Sequence, residues 1–88
     1  MTVIPPANGI TLHNGDTMDV SGGASVDSTT IETGGLQTVG GSFSTSTATH
    51  TVIDGGEQDV VLDGVASYTT INQGGIQRVT GEIGRAHV

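Results

Sequence analysis

The sequence predicts an all-β fold, a parallel β-helix of about four coils of 19–21 residues, and three observations carry that expectation. A pattern of about nine residues recurs along the chain, a Gly-Gly pair falls at the same point in most copies, and β-branched residues return at fixed positions within each copy. The clearest copies are Ile31-Glu32-Thr33-Gly34-Gly35-Leu36-Gln37-Thr38-Val39, Val52-Ile53-Asp54-Gly55-Gly56-Glu57-Gln58-Asp59-Val60 and Ile71-Asn72-Gln73-Gly74-Gly75-Ile76-Gln77-Arg78-Val79. A weaker first copy is Leu12-His13-Asn14-Gly15-Asp16-Thr17-Met18-Asp19-Val20. Aligned on the glycines, the anchors Leu12, Ile31, Val52 and Ile71 are spaced by 19, 21 and 19 residues, which places a two-residue insertion between Gly40 and Thr51.

Each copy reads as a short strand, a Gly-Gly turn, a second short strand and a looser turn. Gly15, Gly34, Gly35, Gly55, Gly56, Gly74 and Gly75 are the expected structural turn residues, because glycine adopts a positive φ at low cost. The density of Gly with Thr and Val excludes a helix. Strands this short cannot stand alone, so the copies must stack and pair with one another at about 4.8 Å. The anchors Leu12, Ile31, Val52 and Ile71 and the closing residues Val20, Val39, Val60 and Val79 are the expected core ladders. Two residues before each closing valine, Gln37, Gln58 and Gln77 follow Met18 on the same face, and the expectation there is a buried ladder of stacked amides. Alternation puts Thr11, Thr30, Thr51 and Thr70 outside as a threonine column. Asp19, Thr38, Asp59 and Arg78 form a second outward column, in which Asp59 and Arg78 are expected to pair.

Composition excludes several functions. The 88 residues carry a net charge of −7 with only Arg78 and Arg85 as cations, so neither nucleic acid nor an anionic membrane surface is an expected partner. Only 33% of residues are hydrophobic and 2% aromatic, too few for a conventional packed core. Cysteine is absent, no run is long enough to span a membrane, and Met1–Pro6 has neither a basic nor an apolar leader segment. The expectation is a segment of a longer chain, or export by another route, with no membrane insertion by this segment. His13, His50 and His87 occupy different repeat positions without a second ligand at zinc spacing, so no metal and no cofactor is expected. No nucleophile elbow is present, and alignment on the glycines brings no carboxylates together across coils, so no catalytic residue is assigned. Two further readings are weighed. A carbohydrate-active β-helix enzyme would need acidic residues clustered across coils on one face, and an ice-binding solenoid would need a second threonine column beside the first.

The repeated anchor, Gly-Gly, Gln and Val, with the links Ser28-Thr29-Thr30-Ile31 and Tyr68-Thr69-Thr70-Ile71, resembles the strand-loop-strand repeat of autotransporter passengers of the AIDA type. The likeness covers roughly residues 10 to 82 and departs in Asp16 for the second glycine, in the longer second coil and in the fading tail. It implies a right-handed β-helix, with residues 1–9 as a lead-in or cap, 10–82 as the repeats and 83–88 as a truncated repeat or tail. It also implies a non-catalytic surface-exposed or secreted role in adhesion, self-association and biofilm formation, with a host or bacterial surface receptor that the residues do not name. Some members are O-heptosylated on serines by a dedicated glycosyltransferase. Serine is missing before the first turn glycine in every copy, so Ser21 and, more weakly, Ser42 are the candidate glycosylation sites.

Overall fold

The computed structural model describes residues 2–3, 7–41, 45–61, 63–79 and 85–87, of which 2–3, 7 and 85–87 are described by their backbone alone. Strands β1 (Thr2–Val3) and β2 (Ala7–Asn8) precede four successive coils, each built of three strands. The first coil holds β3 (Thr11–Leu12), β4 (Thr17–Val20) and β5 (Ser25–Asp27), and the second β6 (Thr30–Glu32), β7 (Leu36–Val39) and β8 (Ser46–Thr49). The third holds β9 (Val52–Asp54), β10 (Glu57–Val60) and β11 (Gly64–Ser67), and the fourth β12 (Thr70–Asn72), β13 (Ile76–Val79) and β14 (Arg85–His87). Every strand pairs in parallel with the equivalent strand one coil away, so three sheets run along the rod: β1-β4-β7-β10-β13, β2-β5-β8-β11-β14 and β3-β6-β9-β12. The chain is a parallel β-solenoid.

Alternation along each strand separates the interior from the surface. In the first sheet, β4 and β7 bury every second residue, Met18 and Val20, then Gln37 and Val39. Leu12, Ile31 and Ile53 fill the third sheet's inner face, and Val26, Ala48 and Ala66 the second's. The second sheet was not expected. Strands β5, β8 and β11 turn one apolar side chain inward each, Val26, Ala48 or Ala66, and carry no glycine pair, so nothing in their sequence repeats strongly enough to mark a strand.

The register corrects one anchor. Ile31 pairs with Ile53, and Ile53 with Ile71, so Ile53 is fully buried while Val52, taken as the anchor, is half-buried between Thr30 and Thr70. The cause is a shortened turn. Three residues separate β6 from β7 (Thr33, Gly34, Gly35), but only Gly55 and Gly56 separate β9 from β10. The compensating insertion lies between β7 and β8: Val39 to Ala48 spans nine residues, against six for Val20 to Val26 and six for Val60 to Ala66. The apparent two-residue insertion is thus a three-residue gain and a one-residue loss. By the same shift Thr51 leaves the outer column, which reads Thr11, Thr30, Val52, Thr70, and joins Thr29 and Thr69 inside.

The interior is accordingly part polar. Gln58 Nε2 donates to Gln37 Oε1 at 2.7 Å, and Gln77 Nε2 donates to Gln58 Oε1 at 2.7 Å. Gln37 Nε2 points at Met18 Sδ, 3.3 Å away. The threonine column faces this one, with Gln58 Nε2 3.5 Å from Thr51 Oγ1 and Gln77 Nε2 3.3 Å from Thr69 Oγ1. A buried amide needs all its partners, and here each coil supplies those of the next. In the fourth coil Ile71 and Val79 hold their inward positions on edge strands and remain 41% and 45% exposed.

Candidate functional site

The two glycines of each turn do different work. Gly34, Gly55 and Gly74 have φ of +84°, +86° and +79°, a region glycine tolerates best. Gly56, by contrast, has ordinary backbone angles but no room: a Cβ there would meet the Ile31 side chain and lie 2.6 Å from the carbonyl oxygen of Glu32 and 2.8 Å from that of Ile31. Gly35 and Gly75 are hemmed in similarly by the carbonyls of Leu12 and Ile53. Gly15 also has a positive φ, and nothing lies within 4 Å of where its Cβ would be.

Around this corner the corrected register assembles an open groove of about 620 Å³ lined by His13, Asn14, Glu32, Thr33, Asp54 and Gln73. Glu32 and Asp54 are register partners on adjacent coils. That juxtaposition of carboxylates was missed, because alignment on the glycines sets Ile53, not Asp54, beside Glu32. His13 Nδ1 lies 2.7 Å from Glu32 Oε1, and the His13 backbone N–H donates to Asp16 Oδ2 at 2.9 Å. That N–H bond holds the Asp16 carboxyl below its ordinary range. The positive-φ residue Gln73, at +55°, closes the far side.

A second polar set lies on the outer face of the first sheet. Arg78 Nε sits 3.6 Å from Glu57 Oε2, which corrects the expected Asp59–Arg78 pair: the arginine reaches Glu57 and not its register partner Asp59. Asp59 Oδ1 is buried without a hydrogen-bond partner. Desolvation, then the adjacent Glu57, raises the Asp59 carboxyl to about 6, against a smaller lowering by Arg78.

A third set marks the corner between the second and third sheets, where Ser28, His50 and Tyr68 each take a positive φ, +61°, +56° and +56°. The His50 and Tyr68 rings stack at 5.0 Å with 8° between their planes, and His50 Nδ1 lies 3.1 Å from Asp27 Oδ1. Of the serines, Ser25 and Ser28 are exposed and Ser21 is half-buried at the start of a turn closed by the Ala24 N–H on its carbonyl. Ser46 is buried and accepts from the Gly23 N–H, and Ser42 lies outside the described residues. Among the described residues no group of three or more His, Cys, Asp or Glu able to hold a metal is found, and no helix is long and apolar enough to cross a membrane.

Stacked parallel coils with an amide-and-valine interior and glycine corners define a β-solenoid repeat segment. The chain is 45% identical over 74 residues, 84% of its length, to the probable autotransporter YpjA of Escherichia coli K12, and spans 4% of that protein. It also matches a solved structure of a TibA fragment hyper-glycosylated by TibC, with a TM-score of 0.78 and 28% identity over 92% of this chain and 28% of that one. No protein-family model matches. The resemblance to autotransporter passengers read from the repeat columns therefore holds, and with it a place at the cell surface or in the medium.

Proposed function

We propose that this chain is a non-catalytic scaffold segment of a surface-displayed passenger, serving adhesion and self-association. The observation that supports this most is the pairing of a continuous solenoid with 45% identity to an autotransporter over 84% of the chain. Catalysis by Glu32 and Asp54 is not favoured, since hydrolysis of a glycosidic bond uses a carboxyl kept protonated by burial, whereas Glu32 is 46% exposed beside His13. Sedimentation from micromolar to millimolar concentration should show concentration-dependent association, and a strict monomer throughout would remove the self-association reading.

The chain is also proposed as a sparse acceptor of O-linked sugar, supported by the glycosylation of the TibA fragment. Ser21 remains the first candidate by its place before Gly22-Gly23, and exposure adds Ser25 and Ser28. Coexpression with TibC followed by intact-mass and peptide mapping tests this, and modification of the buried Ser46 with the other three bare would overturn the assignment.

A further inference from the structure

The groove at the glycine corner has a structural origin that points to a ligand. In the first, second and fourth coils the strand of the third sheet is followed by a projecting turn residue, Asn14, Thr33 or Gln73. The third coil has lost that residue, because only Gly55 and Gly56 follow Asp54 before β10 begins. A notch is left between Thr33 and Gln73, with the half-buried Asp54 in it. The glycines seat the lining side chains: Asn14 lies over Gly34 and Thr33 over Gly55, where a Cβ would strike the Asn14 side chain and the Thr33 hydroxyl.

We propose that this notch binds a neutral oligosaccharide. The lining mixes groups that only accept, the carboxylates of Glu32 and Asp54, with groups that also donate, the amides of Asn14 and Gln73, the Thr33 hydroxyl and the His13 imidazole. Sugar hydroxyls are at once donors and acceptors and use both kinds. A simple ammonium ligand would satisfy the carboxylates but leave the donors of Asn14, Thr33 and Gln73 unused, and an acidic sugar would be repelled by both carboxylates within a chain of net charge −7. Successive coils are spaced by about 4.8 Å, close to the length of one pyranose unit, so a chain laid along the rod meets Asn14 and Thr33 with successive residues, Asp54 with the next and Gln73 with the one after. No Phe, Tyr or Trp ring lines the groove, so a single site binds weakly, and tandem display in a longer rod supplies avidity. This binding does not depend on self-association of the rod.

The test is a two-dimensional ¹H–¹⁵N titration with tetrasaccharides of glucose, galactose and mannose, run beside the cationic glucosamine tetramer and the anionic galacturonate tetramer. At least one neutral tetrasaccharide should shift the amides of His13, Asn14, Glu32, Thr33, Asp54 and Gln73 while leaving those of Asp19, Asp27 and Glu57 unmoved. Asp54→Asn, which keeps the shape but exchanges an acceptor for a donor, should weaken that binding about five- to tenfold. Inserting a threonine between Asp54 and Gly55 restores the three-residue turn and should abolish binding in a rod whose circular dichroism is unchanged. Silence with all three neutral sugars, binding of the glucosamine tetramer alone, or undiminished binding to the filled-notch variant would each overturn the proposal.

Discussion

Two corners of the solenoid use the same left-handed backbone in opposite ways. At the corner between the third and first sheets the chain spends glycine, coil after coil, whereas between the second and third sheets it places Ser28, His50 and Tyr68 at φ near +60°. The bend is alike, but the crowding is not. At the glycine corner the preceding coil lies against the position a side chain would occupy, as the carbonyls around Gly56 show. At the other corner the side chain points away into solvent, with Tyr68 65% exposed. Repetition in the second glycine column therefore marks where a side chain is forbidden by the neighbouring coil, while the first column, uncrowded at Gly15 and Gly74, shares only its positive φ.

The sharpest way to break this comparison is to add one methyl group. Gly56→Ala puts a Cβ against two backbone carbonyls that cannot yield, and should cost about 3–4 kcal/mol. Gly55→Ala meets a positive φ and the movable Thr33 hydroxyl, and should cost only about 1–2 kcal/mol. Thr33→Ala added to Gly55→Ala should recover part of that loss in a double-mutant cycle of urea unfolding. Equal costs at Gly55 and Gly56 would show that backbone angle, not crowding, selects glycine at this corner.

The interior tests the same idea from the other side, since Gln58 repeats because a side chain is required there. Gln58→Ala leaves Gln37 Oε1 without its donor and Gln77 Nε2 with only Thr69 Oγ1 as acceptor, and should cost about 2–3 kcal/mol. Gln77→Ala in the half-buried fourth coil should cost about 1 kcal/mol. If the two variants melt together, the ladder is not cooperative along the rod.

These contrasts explain what could be read from the sequence alone. The glycine columns, the valines and the amide ladder were legible because stacking imposes one answer on every coil. The anchor of the third coil was not, since Val52 and Ile53 are both β-branched and the glycines count from the wrong side of a shortened turn. The second sheet was hidden because Ser-Val-Asp, Ser-Thr-Ala-Thr and Gly-Val-Ala-Ser share only a small inward residue. The notch was hidden with it, because Glu32 and Asp54 become neighbours only in the true register.

Outward positions of the sheets, where neither crowding nor burial repeats, should respond to charge instead. Asp59 has a folded carboxyl raised to about 6, above its unfolded value, so its proton favours the folded rod. That contribution is fully present below about pH 4 and is lost as pH rises through about 6. Asp59→Asn should therefore gain about 1 kcal/mol at neutral pH, after allowance for solvent screening, and little at pH 4. Melting temperatures of both proteins across that range check it, and a constant difference between them would place the proton elsewhere.

The smallest effect belongs to the solvent-facing corner and completes the comparison. His50→Gly removes a left-handed non-glycine residue, which relieves on the order of 1 kcal/mol of backbone strain. It also removes the stack on Tyr68 and the contact with Asp27, together about 1 kcal/mol at an exposed site. Glycine further raises the entropy of the unfolded chain, which offsets a few tenths of the relief. The three terms nearly cancel, so the expected change is within about 0.5 kcal/mol of zero. Tyr68→Gly should behave alike, because it breaks the same stack from the other side. A Gly substitution there that costs as much as Gly56→Ala would mean that the aromatic pair holds the coils together, and the two corners would then differ in chemistry but not in weight.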